Sequence, residues 1–131
     1  MSMKRIIIDT DILIDVGRNV AKAVSFLDKI EKEFTPIISV VTQMELIVGC
    51  RSKKELSVID KFVGRFNIAS MDEAITDKGV VLLHKYRLSH GLLIADALIA
   101  ATAIIKEASL ATKNQGDYRF IDELVMVSYE Q

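Results

Sequence analysis

The fold is decided by the stretch from Leu92 to Ile105, which reads LLIADALIAATAII. It contains one charged residue, Asp96, and almost every other side chain is aliphatic or alanine. Residues of this kind favour a helix that is apolar around most of its circumference, and such a helix is expected to be buried. The run is shorter than the roughly 20 apolar residues that span a bilayer. It therefore predicts a helix at the centre of a folded core.

Asp96 is the exception within this apolar run. A carboxylate in such surroundings is costly unless it is paired, hydrogen-bonded or bound to a metal ion. Its position near the start of the helix favours a negative charge, because the first-turn amides and the helix dipole are oriented toward it. Asp96 is therefore interpreted either as a local cap of the helix or as a metal ligand.

Composition and charge limit the class of protein. The 131 residues are 50% hydrophobic and 27% charged, which predicts one folded domain over residues 1–131. A net charge of −1 argues against a nucleic-acid binder that relies on charge alone, but allows an enzyme that reaches nucleic acid through metal ions. The single Cys50 excludes an intrachain disulfide, and the apolar run Ile6–Ile8 is too short for a signal peptide. We expect a cytoplasmic protein without a membrane segment.

Strands and helices alternate on both sides of the central stretch. Buried strands are predicted at Arg5–Ile8 and Ile37–Val41, and further strands at Asn67–Ala69, Ser109–Thr112 and Leu124–Val127. Helices are predicted at Ile12–Val16 and Val20–Lys32, in the segment that follows Thr42, and at Arg51–Phe66. A further helix is predicted from Asp72 toward Leu88, and Ser89-His90-Gly91 ends it. This alternation predicts an α/β fold, a three-layer α/β/α sandwich with a central, doubly wound parallel sheet.

Four acidic residues fall at equivalent places in this predicted sheet. Asp9 follows the first strand, Glu45 lies one helical turn past the second, Asp96 begins the buried helix, and Asp117 lies in the loop after Ser109–Thr112. In a doubly wound sheet these positions face one edge. Four carboxylates that converge there repel one another, and a hard divalent cation relieves the repulsion. Oxygen ligands without a His or Cys cluster predict Mg²⁺ or Mn²⁺.

The motifs around these acids resemble the signature of PIN-domain ribonucleases, and in particular the VapC-type toxins of bacterial and archaeal toxin–antitoxin pairs. The resemblance runs from Ile6 to about Val127 and rests on Asp9-Thr10-Asp11, Thr42-Gln43-Met44-Glu45-Leu46, Gly91 to Ile104 with Asp96, and Leu110 to Asn114 leading to Asp117. It implies an RNA endonuclease that depends on Mg²⁺ or Mn²⁺. It also implies a homodimer and a cognate antitoxin protein that neutralises the enzyme.

The predicted chemistry assigns a role to each acid. Asp9 and Asp96 would hold a metal ion that activates water for attack on the phosphodiester. Asp117 and Glu45 would complete the metal shell directly or through water, and Glu45 could position or deprotonate the attacking water.

Several nearby residues have two interpretations. Thr10, Thr112 and Asn114 are candidates for orienting the carboxylates through hydrogen bonds without contacting the metal ion. The alternative is that their side chains only stabilise local turns. Asp11 is interpreted as a helix cap. Thr42, with Glu45 three residues later, fits a capping box, which is a structural alternative to a catalytic role for Glu45.

Two other classes of protein remain open from the residues alone. Asp9-x-Asp11 after a first strand is similar to haloacid-dehalogenase-like phosphatases, in which Asp9 would be the nucleophile. Thr42 and Lys113 could then supply the hydroxyl and the lysine that such enzymes need, although Asp117 and Asp122 make a poor acidic pair. A non-enzymatic α/β interaction module is the second alternative, and it leaves Asp96 unexplained.

The segment from Glu45 to Phe66 predicts a binding surface. Its two helices, joined near Gly49, carry more apolar residues than one face of a small domain requires. Surplus apolar surface beside an active site is a candidate groove for an amphipathic helix, and the resemblance implies that an antitoxin fills it.

Overall fold

The computed structural model describes residues 4–129, which form a parallel sheet between two layers of helices. The strands are β1 (Lys4–Ile8), β2 (Phe34–Ser39), β3 (Asn67–Ala69), β4 (Ser109–Thr112) and β5 (Met126–Ser128). The helices are α1 (Thr10–Gly17), α2 (Ala21–Glu33), α3 (Val40–Val48), α4 (Lys53–Val63), α5 (Glu73–His90) and α6 (Ile94–Ile105), with a 3₁₀ turn at Gln115–Asp117. The predicted α/β fold is confirmed.

The sheet is doubly wound around its first strand. The strand order is β3-β2-β1-β4-β5, and each neighbouring pair is parallel. From β1 the chain builds outward through β2 and β3, then crosses back to place β4 on the other side of β1. The topological switch point therefore lies between β1 and β4, and ligands of open α/β sheets bind in the crevice at the carboxyl ends of such strands.

Alternation along β1 separates the two helical layers. Ile7 faces the cluster formed with α5 and α6, whereas Ile6 and Ile8 face the cluster formed with α1 to α4. All three side chains are fully buried. A strand covered on both faces needs apolar residues at successive positions, which explains the uninterrupted isoleucine run.

The α5–α6 pair fixes the position of the central helix. Gly79 allows the close approach, because a Cβ atom there would lie 2.9 Å from Leu98 Cδ2. Gly91 ends α5 in the left-handed conformation, with φ of 69°, and its N–H donates to the Arg87 carbonyl. The chain then enters α6 within a few residues, so Asp96 lies in the first turn of the buried helix, as predicted.

Several predicted element boundaries are wrong. The second strand is Phe34–Ser39 instead of Ile37–Val41, because the Ser39 hydroxyl caps α3 by accepting from Val41 N at 3.0 Å. Pro36 fits inside β2 because β3 pairs only with residues 37–39, so the strand has a neighbour on one side there.

Further boundary errors lie at helix and strand ends. Helix α4 spans Lys53–Val63 instead of Arg51–Phe66, because Ser52 caps it by accepting from the Glu55 N–H at 3.1 Å. Helix α5 continues to His90, since Gly91 alone supplies the left-handed cap. The last strand begins at Met126, because Leu124 N still donates to the Ile121 carbonyl in a turn. Within residues 4–129, no helix is long and apolar enough to cross a membrane.

Candidate metal centre

Asp9 is held at the switch point by contacts to both of its carboxylate oxygens. It is the N-cap of α1, where Oδ1 accepts from the Thr10 N–H at 2.9 Å. Oδ2 accepts from the Thr112 hydroxyl at the end of β4, at 2.8 Å. Burial, followed by the charge of Asp11, raises the pKa of Asp9 from 3.8 to about 7. These contacts therefore compensate the Asp9 charge only in part.

Asp96 reaches the same region from the first turn of α6. Its Oδ1 accepts a hydrogen bond from the Tyr118 hydroxyl at 3.1 Å. Burial raises the pKa of Asp96 in spite of this bond, and the carboxylates of Asp117, Glu45 and Asp11 raise it further. Asp96 is therefore electrostatically coupled to the other acids and is not an isolated helix cap.

Glu45 is attached to the site through two threonines. The Thr10 hydroxyl donates to Glu45 Oε1 at 2.7 Å and lies 3.0 Å from the Thr42 hydroxyl. Thr42 is completely buried inside α3, and Ser39 is the residue that caps this helix. The predicted capping box of Thr42 and Glu45 is therefore wrong, because strand β2 ends early enough for Ser39 to take the N-cap position. Glu45 is left facing Thr10 and the acids.

Asp117 and Asn114 lie in the loop after β4. Asp117 ends the 3₁₀ turn, is exposed, and acts on Asp96 through its charge. Asn114 contributes its main chain, since its N–H donates to Asp11 Oδ2 at 3.1 Å and its carbonyl accepts from Asp117 N. Asn114 therefore shapes the loop that carries Asp117.

Asp11 clamps this loop to α1, and its interpretation as a helix cap is wrong. The cap is Asp9, and the Asp11 carboxylate instead accepts from the main-chain N–H groups of Lys113 and Asn114 at 3.1–3.4 Å. Burial raises the pKa of Asp11 despite these donors. Asp11 is thus a second carboxylate near Asp9, and its charge raises the pKa of Asp9.

The arrangement suits a hard divalent cation. Its donors are carboxylate oxygens, and the carboxyl groups of Asp9 and Asp96 both carry raised pKa values. Within residues 4–129, no group of three or more Asp, Glu, His or Cys side chains lies close enough together to hold a metal ion. Mg²⁺ is commonly held by one or two carboxylates and keeps several waters, so the donor set fits such an ion.

Two features of this region were missed from the sequence. Tyr118, to which the sequence assigned no role, is 1% exposed and directs its hydroxyl to Asp96. Asp15 is buried in α1, and its Oδ2 accepts from Lys113 Nζ and from the Tyr129 hydroxyl, both at 3.0 Å. A buried tyrosine hydroxyl needs a hydrogen-bond partner. The position of Tyr118 directly after the candidate ligand Asp117 was therefore the sequence signal for its contact with an acid of the site.

The same contacts contradict the phosphatase alternative. Lys113, the proposed lysine, pairs with Asp15 and not with Asp9. Thr42, the proposed hydroxyl, is buried against Thr10.

The chain is similar to known proteins in sequence and in fold. The sequence profile of the PIN domain family matches residues 6–122. Ribonuclease VapC10 of Mycobacterium tuberculosis is 32% identical over 120 residues, which cover 91% of this chain and 90% of that protein. Ribonuclease VapC1 of Methanocaldococcus jannaschii is 30% identical over 129 residues, covering 97% and 88%.

A solved structure has the same fold. It is a toxin–antitoxin complex from Klebsiella pneumoniae with a chain that is 28% identical to this one. The TM-score is 0.78, with 95% of this chain and 98% of that chain covered. The profile match spans most of the chain and the two relatives cover nearly all of it, so this protein belongs to the PIN-domain family, among relatives of the VapC type.

Proposed function

We propose that this protein is a metal-dependent endoribonuclease and the toxin of a toxin–antitoxin pair. One observation carries the proposal: two carboxylates from separate elements, Asp9 after β1 and Asp96 in α6, meet around one buried hydroxyl at the switch point of the sheet. Their raised pKa values mark a site that gains from a positive charge. The ribonuclease names of the VapC relatives supply the substrate class.

Asp9 and Asp96 are the residues proposed to hold the ion, which we take to be Mg²⁺ or Mn²⁺. When bound, such an ion polarises the phosphodiester and lowers the pKa of water. Thr112 holds Asp9 Oδ2 and Tyr118 holds Asp96 Oδ1, so neither carboxylate has to be ordered when the ion arrives. Asp117 adds negative charge from the exposed side of the site.

Glu45 is proposed to accept the proton of the attacking water. Its Oε1 is held by the Thr10 hydroxyl, which leaves Oε2 for this purpose. Glu45 is exposed, so water and an RNA backbone can reach it. Thr10 is fixed in turn by α1, the helix that Asp9 caps, so the proposed base and the proposed ligand share one support.

An antitoxin is proposed to occupy a groove beside Glu45. An open cavity of about 800 Å³ lies between α1, α3 and α4, lined by apolar residues that include Leu13, Leu46, Val58, Ile59 and Phe62. Val58 is 59% exposed there. Arg18, Arg51, Lys54 and Arg65 also line it, which suits an amphipathic partner that carries acidic residues. The groove agrees with the surplus apolar surface predicted for Glu45 to Phe66.

The ribonuclease proposal is tested by sequencing RNA ends after brief induction in cells. Wild type and Asp28→Asn, which changes an exposed acid of α2, should create the same new 5′ ends at a limited set of sites. Asp9→Asn should create none, because it removes a proposed ligand. New ends of equal abundance with Asp9→Asn would contradict the proposal.

The antitoxin proposal is tested by co-purification of this chain with the product of its neighbouring gene. Val58→Asp should release the partner and leave ribonuclease activity intact. Val125→Asp is the matched control, since Val125 is similarly exposed but precedes β5 outside the groove. Retention of the partner by Val58→Asp would place the antitoxin elsewhere.

A further inference from the structure

The Tyr118 hydroxyl lies between the two carboxylates that are proposed to hold the metal ion. The ring of Tyr118 is packed in the core on the α5–α6 side of the sheet. Its hydroxyl donates to Asp96 Oδ1 at 3.1 Å and also interacts with the Asp9 carboxylate. The contact with Asp96 is the one with the geometry of a hydrogen bond, so Asp96 is the carboxylate that Tyr118 orients.

Asp9 and Asp96 differ in how they are held. Asp9 is fixed at both oxygens, by the Thr10 N–H and the Thr112 hydroxyl. Among the described residues, the Tyr118 hydroxyl is the donor that the structure gives to the Asp96 side chain. The hydrogen bond occupies Oδ1 and leaves Oδ2 as the oxygen available to a cation. The orientation of Asp96 therefore depends on this phenol.

We propose that Tyr118 is a positioning residue that sets the metal affinity of the site by fixing the Asp96 carboxylate through its hydroxyl. This inference rests on the proposed function, because it assumes a divalent cation between Asp9 and Asp96. Groups that orient metal ligands from behind commonly change metal affinity by 10- to 100-fold when they are removed. Tyr118 also follows Asp117 directly, so one short segment supplies both an acid and the support of another acid.

Tyr118→Phe isolates the hydroxyl, because phenylalanine keeps the buried ring and removes one oxygen atom. We expect the dissociation constant for Mn²⁺, measured by isothermal titration calorimetry, to rise by about tenfold in Tyr118→Phe. Tyr86→Phe is the matched control, since Tyr86 is a second buried tyrosine in the same core cluster but on α5. Its Mn²⁺ affinity should equal that of wild type.

A double-mutant cycle separates positioning from a general structural effect. If Tyr118 acts through Asp96, then Tyr118→Phe should have little further effect on Mn²⁺ affinity in an Asp96→Glu background, which keeps a carboxylate for the ion but moves it away from the phenol. An equal loss in both backgrounds would overturn the proposal. The near-UV circular dichroism of Tyr118→Phe should match wild type, and its loss would make the hydroxyl a structural element of the fold and also overturn the proposal.

Mn²⁺ binding by wild type and by Tyr118→Phe distinguishes failure of the metal site from failure of the role of Tyr118. Wild-type protein that binds no Mn²⁺ would refute the metal site and with it the proposed function. Wild-type binding that is unchanged in Tyr118→Phe would refute only the role of the tyrosine.

Discussion

Asp9→Asn should stabilise the metal-free protein at neutral and alkaline pH, although it destroys a proposed metal ligand. Burial raises the pKa of Asp9 to about 7, whereas a carboxyl group in the unfolded chain titrates near 3.8. Below pH 3.8 both states are protonated. As the pH rises toward about 7, the unfolded chain releases its proton while the folded state retains it, so the folded state loses stability.

The size of the stability loss follows from the difference between the pKa of Asp9 in the folded state and its pKa in the unfolded chain. A difference of about three pH units, at about 1.4 kcal/mol per unit, gives a penalty of about 4 kcal/mol above pH 7. About 2 to 3 kcal/mol of this penalty develops between about pH 5 and about pH 8. Asparagine cannot accept from both Thr10 N and Thr112 Oγ1 as the carboxylate does, but that loss changes little with pH. The pH dependence therefore isolates the charge.

The assay is urea denaturation in EDTA across this pH range. The difference in unfolding free energy between Asp9→Asn and wild type should move in favour of the variant by about 2 to 3 kcal/mol from about pH 5 to about pH 8. Asp28→Asn, which changes an exposed acid of α2, should keep a constant difference from wild type. Adding Mn²⁺ should stabilise wild type and not Asp9→Asn. Parallel pH profiles for Asp9→Asn and wild type would refute the reasoning.

Three further predictions concern stability and assembly. Metal-free Asp96→Asn should melt above wild type at about pH 8, because burial and neighbouring acids raise the pKa of Asp96; a clearly lower melting temperature would assign it a structural role. The Lys113 hydrogen bond lowers the pKa of Asp15, so this carboxylate contributes stability above about pH 4 that is lost on acidification. Asp15→Asn should thus lower the urea midpoint at neutral pH and approach wild type at about pH 3, and an equal deficit at both pH values would contradict this. The homodimer predicted from the family resemblance should dissociate in Ile94→Lys, since Ile94 is 70% exposed at the start of α6, and light scattering that finds a wild-type monomer would contradict the prediction.

The meeting of the acids could be predicted because topology dictates it. Asp9 directly follows a run of three isoleucines that can only be a buried strand, and Asp96 lies in a helix with almost no other polar residue. Once the strands are parallel, their carboxyl ends share an edge, and a helix that leads into the next parallel strand begins at that edge, so Asp9 and Asp96 are expected at the same edge of the sheet. No side-chain geometry is needed for this step.

The hydroxyl group that caps α3 and the contacts of the loop after β4 could not be predicted from topology. Ser39 and Thr42 are both good N-cap residues, and the choice between them depends on where β2 stops pairing with β3. Asp11 and Tyr118 make their contacts across 102 and 22 residues of sequence, respectively. Such contacts follow from tertiary packing, which no local pattern records.

The central claim is that Asp9 and Asp96 support metal-dependent hydrolysis of RNA, and cleavage of end-labelled single-stranded RNA by purified protein tests it most directly. Wild type should cleave with Mg²⁺ or Mn²⁺, stop in EDTA, and leave no 2′,3′-cyclic phosphate, because water is the proposed nucleophile. Asp9→Asn and Asp96→Asn should be inactive with their folds intact by circular dichroism. Cleavage by wild type that persists in EDTA, or equal cleavage by the two variants, would contradict the account.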